Sequence, residues 1–205
     1  MKLKKKPKLI IVLVAVILVV ALVAVIAISF WPEKEIQEVK VLKSIDEYGY
    51  SLKANKTKEY KEMFKELEKI LLADEVDEEA YAKKISEMFI YDFFSLEDKV
   101  TKTDIGGVDF VHPDAIANFM VNAEDTYYKY IESNIYGERK QELPAVATVT
   151  AESIEPTEFA YKDEMHEGYE VKVNWTYTKD KFSDYQKSAT VILIKSGKIY
   201  YIVEM

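Results

Sequence analysis

The sequence predicts an α+β protein preceded by a single N-terminal transmembrane helix. An uncharged apolar run lies near the N-terminus, and three later segments carry apolar residues at the spacing of an amphipathic helix. After Pro144 the pattern changes to the two-residue alternation of strands. Helices followed by consecutive strands favour three amphipathic helices packed on one face of a curved, four-stranded antiparallel sheet.

The apolar run covers residues 9–30 and has Ser29 as its only polar side chain. About 20 such residues cross the hydrocarbon core of a bilayer, where a helix satisfies its own backbone hydrogen bonds. The charged residues of the preceding tail are all lysines, and an excess of lysine marks the cytoplasmic side. The sequence therefore predicts a cytoplasmic tail at 1–8, a transmembrane helix at 9–31 and an extracytoplasmic C-terminal region. We expect the membrane to be a bacterial plasma membrane.

A cleaved signal peptide is the alternative interpretation of this run, with small residues at 25–27 as the cleavage site. The apolar core of a signal peptide usually has about 7 to 15 residues, and an A-x-A motif follows it. This run is longer and lacks that motif. A retained anchor in the lipid bilayer is therefore favoured.

Composition excludes several classes of function. The chain has no cysteine, so neither a lipoprotein attachment site nor a disulfide framework is expected. Residues 32–205 carry all 36 acidic residues and 23 of the 28 basic residues, which gives a formal charge of −13. A surface this acidic disfavours nucleic acid and anionic lipid as partners.

The region after the apolar run begins with a juxtamembrane segment at 32–56, predicted as a hairpin or an extended stalk. An extracytoplasmic α+β domain is expected at 57–205. Its first helix covers 57–72, and its second is capped by residues 74–77 and runs to about Asp92.

The third helix is expected to begin at Pro113 and to end at Gly137. A pair of short strands or an irregular loop, with Gly106 and Gly107 in a turn, is predicted before it. The third helix places seven residues on its predicted buried stripe: Ile116, Phe119, Met120, Ala123, Tyr127, Tyr130 and Ile131.

Four strands are predicted after the third helix. The second has the clearest alternation, because Val171, Val173 and Trp175 lie on one face, whereas Glu170 and Lys172 lie on the other. We therefore expect Trp175 to be buried against the helices. The four predicted strands cover 145–154, 169–178, 188–195 and 198–203.

The order of these elements resembles that of the nuclear-transport-factor-2-like superfamily, whose domains have a cone-shaped fold. The resemblance covers residues 57–205 and depends on element order and on the strand at 169–178. It implies a concave interior, which enzyme members line with an aspartate and tyrosines. The residues that would line it here are Tyr91, Asp92, Asp109, His112, Tyr127, Trp175 and Tyr177.

Ordinary structural roles explain the same residues more simply. The aromatic candidates lie on stripes that otherwise contain Ile, Phe and Val, and the aspartates lie at a helix end and a turn. His112 and His166 have no H-x-x-x-H spacing, and the chain has no C-x-x-C motif. We therefore expect no metal site and no cofactor.

The sequence leaves three functional hypotheses. The first is a membrane-anchored extracytoplasmic interaction or assembly module that is not catalytic and binds an envelope protein, a role that the superfamily resemblance implies. The alternative is a small-molecule-binding or lyase/isomerase-like domain that uses the cone as a pocket, and a cleaved, secreted form of either is a third possibility. An enzyme should have a deep pocket with a buried carboxylate or histidine, whereas a scaffold should have a filled interior and an exposed apolar patch.

Overall fold

A small hairpin, three α-helices and a four-stranded antiparallel sheet follow one another along the chain. The structure is a computed structural model, which describes residues 39–205. Val39–Met205 forms one compact unit. The predicted cytoplasmic tail and transmembrane helix lie outside these residues. Within Val39–Met205, none of the helices has the length and apolar character needed to cross a membrane.

The hairpin consists of β1 (Val41–Ile45) and β2 (Tyr50–Lys53), which pair antiparallel. A 3-10 turn connects them and ends at Gly49, whose φ of +72° suits glycine. Four apolar residues of the hairpin and its turn are buried in the same core as the helices: Ile45, Tyr48, Tyr50 and Leu52. Of the two predicted alternatives, the chain forms a hairpin, and the hairpin is part of the folded domain.

Helices α1 (Lys58–Leu71) and α2 (Glu78–Phe94) follow the hairpin. The side chains of Thr57 and Asp77 cap them by accepting hydrogen bonds from backbone N–H groups three residues later, at 3.1 and 3.0 Å. Helix α1 is amphipathic, as predicted. Helix α2 differs from the prediction of one buried stripe, because every residue from Met88 to Phe94 is buried. It is the central helix of the domain, packed against α1 and against the sheet.

The segment between α2 and the third helix is an irregular loop that contains two 3-10 turns, Val108–Phe110 and Pro113–Ala115. It contains no strand pair, although Val111 forms an isolated parallel bridge with Ile202. The backbone N–H of His112 donates to the carbonyl oxygen of Ile202 at 3.0 Å. This contact covers part of the edge of the sheet.

Helix α3 (Ile116–Asp125) is shorter than predicted. The hydroxyl of Thr126 donates to the carbonyl oxygen of Asn122 at 2.6 Å, and Thr126 leaves the helical region with φ −118° and ψ −93°. The expected buried stripe to Gly137 is therefore correct only in part: Ala123 and Ile131 are buried, whereas Met120 is exposed. Tyr127 and Tyr130 are exposed, and Tyr128 takes the buried position instead.

The sheet contains four strands in the order β3-β4-β5-β6, each antiparallel to its neighbour. The first two strands extend further than predicted, and a two-residue turn joins them at Lys162 and Asp163, both with positive φ. His166 therefore lies in a strand. The strands are β3 (Val146–Tyr161), β4 (Glu164–Tyr177), β5 (Ser188–Ser196) and β6 (Ile199–Glu204).

The predicted alternation of β4 is confirmed. Val171, Val173 and Trp175 are buried on the face that meets the helices, whereas Glu170 and Lys172 are exposed on the other face. The ring of Trp175 packs on Phe94 of α2 with a centroid separation of 4.4 Å. The end of α2 and the middle of the sheet thus share one aromatic core.

Candidate functional site

The carboxylate of Asp92, at the end of α2, is buried and surrounded by donors. Lys56 Nζ lies 2.6 Å from Oδ1 and 2.7 Å from Oδ2, and Lys99 Nζ donates to Oδ1 at 3.0 Å. The backbone N–H of Gly107 donates to Oδ2 at 2.8 Å. Each carboxylate oxygen therefore accepts two hydrogen bonds, which leaves little capacity for a substrate.

Electrostatics confirm that this carboxylate is held ionised. Burial by itself would raise the pKa of Asp92, but the charges of Lys99 and Lys56 outweigh it and lower the pKa to about 2. A general base near neutral pH needs a pKa closer to the working pH. The Asp92 cluster, formed by Asp92, Lys56 and Lys99, is therefore a structural ion cluster and a poor acid or base.

The loop around Gly106 and Gly107 closes over the Asp92 cluster. A Cβ atom on Gly106 would lie 2.1 Å from the carbonyl oxygen of Asp92, so only glycine fits there. The Tyr128 hydroxyl accepts from the N–H of Gly106 at 3.0 Å and donates to the carbonyl oxygen of Phe93 at 2.7 Å. Tyr128 thereby joins the turn after α3 to both the loop and α2.

The structure separates most of the other candidate residues. The Tyr91 hydroxyl lies 3.0 Å from Oγ1 of Thr57, at the start of α1. Asp109 is exposed to solvent. The His112 ring packs against Tyr161 at a centroid distance of 4.8 Å, and burial lowers the pKa of His112. These residues do not line one pocket with Asp92.

Two apolar clefts adjoin the exposed side chain of Tyr127. The first, which we call the α3 cleft, has a volume of about 300 Å³ and lies between α3 and the end of β6. Phe93 and Phe119 face each other in its wall at a centroid distance of 5.5 Å. Ile202 and Met205 contribute the β6 side of the wall.

The second, which we call the Tyr185 cleft, has a volume of about 290 Å³. The ring of Tyr127 forms part of its wall and meets Phe94 edge to face at 5.3 Å. The Tyr127 hydroxyl donates to the side-chain oxygen of Gln186, and the Tyr177 hydroxyl donates to the Gln186 carbonyl oxygen at 2.9 Å. These residues line the Tyr185 cleft: Phe94, Leu96, Tyr127, Pro144, Tyr177, Tyr185 and Gln186.

Together the two clefts and the Tyr127 side chain between them form what we call the Tyr127 surface. Tyr127 is 45% exposed and Tyr185 is 54% exposed. Glu204 is the only carboxylate in the two linings, and no histidine or lysine lines either cleft. The chemistry of this surface is therefore apolar contact with a few hydroxyl and amide groups, and it offers no acid–base pair.

A third, larger cleft of about 490 Å³ lies between the start of α2 and the β3–β4 hairpin. Its lining is charged, and Glu78 Oε1 is paired with Lys195 Nζ at 2.9 Å. Across residues 39–205, no group of three His, Asp or Glu side chains is arranged to hold a metal ion. Tyr169 and Tyr200 form the aromatic part of this cleft, but its lining is mostly polar and holds no metal-binding set, so it is a weaker candidate than the Tyr127 surface.

Sequence reasoning placed Tyr127, Trp175 and Tyr177 together, and the structure brings them to the same region. Tyr127 and Tyr177 line one cleft, and Trp175 lies behind its wall in contact with Phe94. Sequence reasoning missed Phe119 and Tyr185. Tyr185 lies in the loop at 178–187, and its aromatic neighbours at Tyr177 and Phe182 were the available signal.

Comparisons of this chain with family models, with curated proteins and with solved structures find no match. The function must therefore be argued from the geometry and chemistry of the site.

Proposed function

We propose that the chain is a membrane-anchored, non-catalytic interaction module whose Tyr127 surface binds a segment of a protein partner. The proposal places the anchor at residues 9–31, the N-terminus in the cytoplasm and the domain outside a plasma membrane. It retains the expectation that follows from the resemblance to the nuclear-transport-factor-2-like superfamily, which includes non-catalytic scaffolds. An envelope protein is the expected partner.

The observation that carries the proposal is that Tyr127 stands between two separate apolar clefts. Each cleft has a volume of about 300 Å³ or slightly less, which suits one or two amino-acid side chains. A protein segment can place side chains in both clefts while its backbone crosses Tyr127. Aromatic residues such as Tyr127 and Tyr185, partly exposed and held on a rigid core, are typical contact residues of protein interfaces.

The state of Asp92 argues against catalysis by the domain. Asp92 is the candidate acid that is buried, and its partners Lys56 and Lys99 hold it ionised. It also lies apart from the Tyr127 surface, because neither cleft includes it in its lining. An acid–base role for Asp92 would require the loss of both lysine contacts.

The anchor and its orientation are supported by the sequence alone. The apolar run at 9–30 has the length of a membrane span, and the lysines before it fit the cytoplasmic side. Because the chain contains no cysteine, single cysteines can report its topology. A cysteine at Met165 should react with a membrane-impermeant maleimide in intact cells, whereas one at Lys4 should react only after lysis. Reaction of both, or of neither, in intact cells would contradict the proposed orientation.

Loss of a complex on mutation tests the interaction. After mild detergent extraction, the 23.7 kDa chain should migrate within a larger assembly on a native gel. Tyr127→Ala should reduce that assembly, while Tyr130→Ala should retain it, because Tyr130 is exposed but lines neither cleft. Equal behaviour of the two variants would contradict a role for the Tyr127 surface.

A small apolar molecule is the second candidate ligand. The volume of the α3 cleft lies at the lower limit of about 300 to 1,000 Å³ for small-molecule pockets, and its wall is largely aromatic. In that case mass spectrometry of the extracted protein should find a bound molecule that Phe119→Ala removes. A protein partner should instead be retained only while Tyr127 is intact.

A further inference from the structure

The open end of the β1–β2 hairpin differs from the rest of the domain in charge. Residues 39–61 contain six lysines and three acidic residues, a net charge of +3, whereas residues 62–205 contain 16 basic and 30 acidic residues. The acidic Asp46 and Glu47 lie in the hairpin turn, at the opposite end from Val41 and Lys53. The positive charge is therefore concentrated where the described chain begins.

Backbone and side-chain contacts bring these lysines together. The N–H of Ala54 donates to the carbonyl oxygen of Lys40 at 2.8 Å, and Lys61 Nζ donates to the carbonyl oxygen of Ala54 at 2.9 Å. Lys53 pairs with Val41 across the hairpin, and Lys58 begins α1. We call residues 39–42 and 53–61 the basic hairpin end.

Most lysines elsewhere on the surface have acidic partners, but those of the basic hairpin end largely do not. Lys102, Lys172 and Lys179, for example, are paired with Glu124, Glu152 and Glu97. Among the described residues, no ion pair involves Lys40, Lys53, Lys58 or Lys61. Within the described chain, Lys40, Lys53 and Lys58 therefore have no ion-pair partner, whereas Lys61 Nζ donates to the carbonyl oxygen of Ala54.

Apolar side chains are exposed between these lysines. Val39, Val41 and Leu42 are 43%, 51% and 50% exposed, although they lie in and beside a strand. Exposed aliphatic residues interleaved with lysines are the composition that binds the interface of an anionic bilayer, where apolar groups enter the headgroup boundary and lysines contact phosphates. A nucleic acid would use the charge but would have no use for the aliphatic residues.

The basic hairpin end lies close in sequence to the proposed membrane anchor. Seven residues, 32–38, separate Trp31 from Val39, and a fully extended chain of this length spans at most about 30 Å. A folded unit of 167 residues has a radius of gyration of about 15 Å, so its diameter exceeds that reach. The basic hairpin end is thus the part of the described domain that follows the proposed anchor most directly along the sequence.

We infer that the basic hairpin end binds the headgroups of anionic phospholipids in the bilayer that holds the anchor, with Val39, Val41 and Leu42 at the lipid interface. The inference rests on the proposed membrane anchor and adds an orientation of the domain to it. The inference also qualifies the expectation from overall charge, because residues 39–61 carry six lysines against three acidic residues, although Glu33, Glu35 and Glu38 precede them in the sequence. The partner is a lipid phosphate surface, and the Tyr127 surface remains available to a protein.

The full chain in vesicles tests the inference. Leu42→Cys and Met165→Cys, each labelled with an environment-sensitive fluorophore, are reconstituted into vesicles of phosphatidylcholine with phosphatidylglycerol, and spin-labelled lipids serve as quenchers. Met165 is the matched control because it is also exposed, at 63%. We expect quenching of the label at 42 and not of the label at 165, and weaker quenching at 42 in pure phosphatidylcholine or at high salt.

Charge variants sharpen the test. Each lysine near an anionic surface contributes about fivefold to the equilibrium between bound and free states. Lys40→Gln and Lys53→Gln should therefore each shift this equilibrium toward the free state by about fivefold, whereas Lys172→Gln should leave it unchanged. A circular dichroism spectrum like that of the parent confirms that each variant is folded.

The outcomes separate the inference from the proposed function. If the chain fails to float with the vesicles, the anchor is wrong, and the inference fails with it. If the chain floats but the label at 42 is no more quenched than the label at 165, the anchor stands and the lipid-binding face is wrong. Quenching at 42 that is insensitive to phosphatidylglycerol and to the lysine variants would also overturn the inference.

Discussion

Lys99 Nζ lies 3.0 Å from Oδ1 of Asp92 inside the domain, and the two side chains are only 4% and 7% exposed. Among the described residues, removal of the Asp92 charge would leave Lys56 without an ion-pair partner and Lys99 with Asp98 alone, 2.9 Å from Lys99 Nζ. A buried pair broken in this way typically costs about 3 to 5 kcal/mol. Urea unfolding of residues 39–205 should show such a loss for Asp92→Asn and little change for the exposed Asp109→Asn. Equal stability of the two variants would contradict the assignment of Asp92 as a structural ion.

The same cluster predicts a loss of stability in acid. The pKa of Asp92 falls from 3.8 to about 2 on folding, so the unfolded chain binds its proton at a higher pH than the folded chain. The stabilisation is complete above about pH 4 and is lost as the pH falls to about 2. The loss should amount to about 2 kcal/mol. The difference in the free energy of unfolding between the parent and Asp92→Asn, measured across this range, should narrow by about 2 kcal/mol as the pH falls, and a constant difference would contradict the prediction.

Two glycines with the same backbone conformation provide a test of the loop over the Asp92 cluster. Gly107 and Gly137 both have φ of +76°, but a Cβ atom at 107 would lie 2.6 Å from Cδ2 of Phe89, whereas one at 137 meets nothing within 4 Å. In both variants, holding alanine in the left-handed backbone region lowers the free energy of unfolding by about 1 to 2 kcal/mol. Gly107→Ala should lose about 1 to 3 kcal/mol more from overpacking. Thermal melting compares them, and similar midpoints would show that the loop is loosely packed.

Trp175 tests the shared aromatic core of α2 and the sheet. Its side chain is 3% exposed and packs on Phe94, and loss of a buried tryptophan typically costs about 3 to 5 kcal/mol. Trp175→Ala should therefore lower the melting temperature sharply. Lys172→Ala, on the exposed face of the same strand, should change it little. If Trp175→Ala melted like the parent but lost a ligand or partner, Trp175 would belong to a binding site.

The sequence predicted the α+β class because α1 and β4 each have one buried and one solvated face. The periodicity predicted too long a helix for α3, because the apolar spacing continues past Asp125, where the helix ends. The backbone leaves the helical region at Thr126, and Tyr128 lies in the core, but nothing in the spacing distinguishes Tyr127 from Tyr128. This one-residue difference exposes Tyr127 and so creates the candidate site.

The length of β3 and β4 was underestimated for a different reason. Residues 155–167 are exposed or half-buried on both faces, so no alternation between apolar and polar residues marks them as strands. Their turn uses Lys162 and Asp163 with positive φ, where glycine or asparagine is the usual signal. The clefts were also hidden in the sequence, because they combine residues of α2, α3, β6 and two loops.

Photo-cross-linking from position 127 can show whether a protein binds at the Tyr127 surface. A photoreactive phenylalanine analogue replaces Tyr127 in the full chain, and the same analogue at the exposed Met165 is the control. We expect a discrete cross-linked protein band from position 127 in native membranes, with none from position 165. A band from 165 alone, or only a small-molecule adduct at 127, would contradict the assignment of the Tyr127 surface as a protein-binding site.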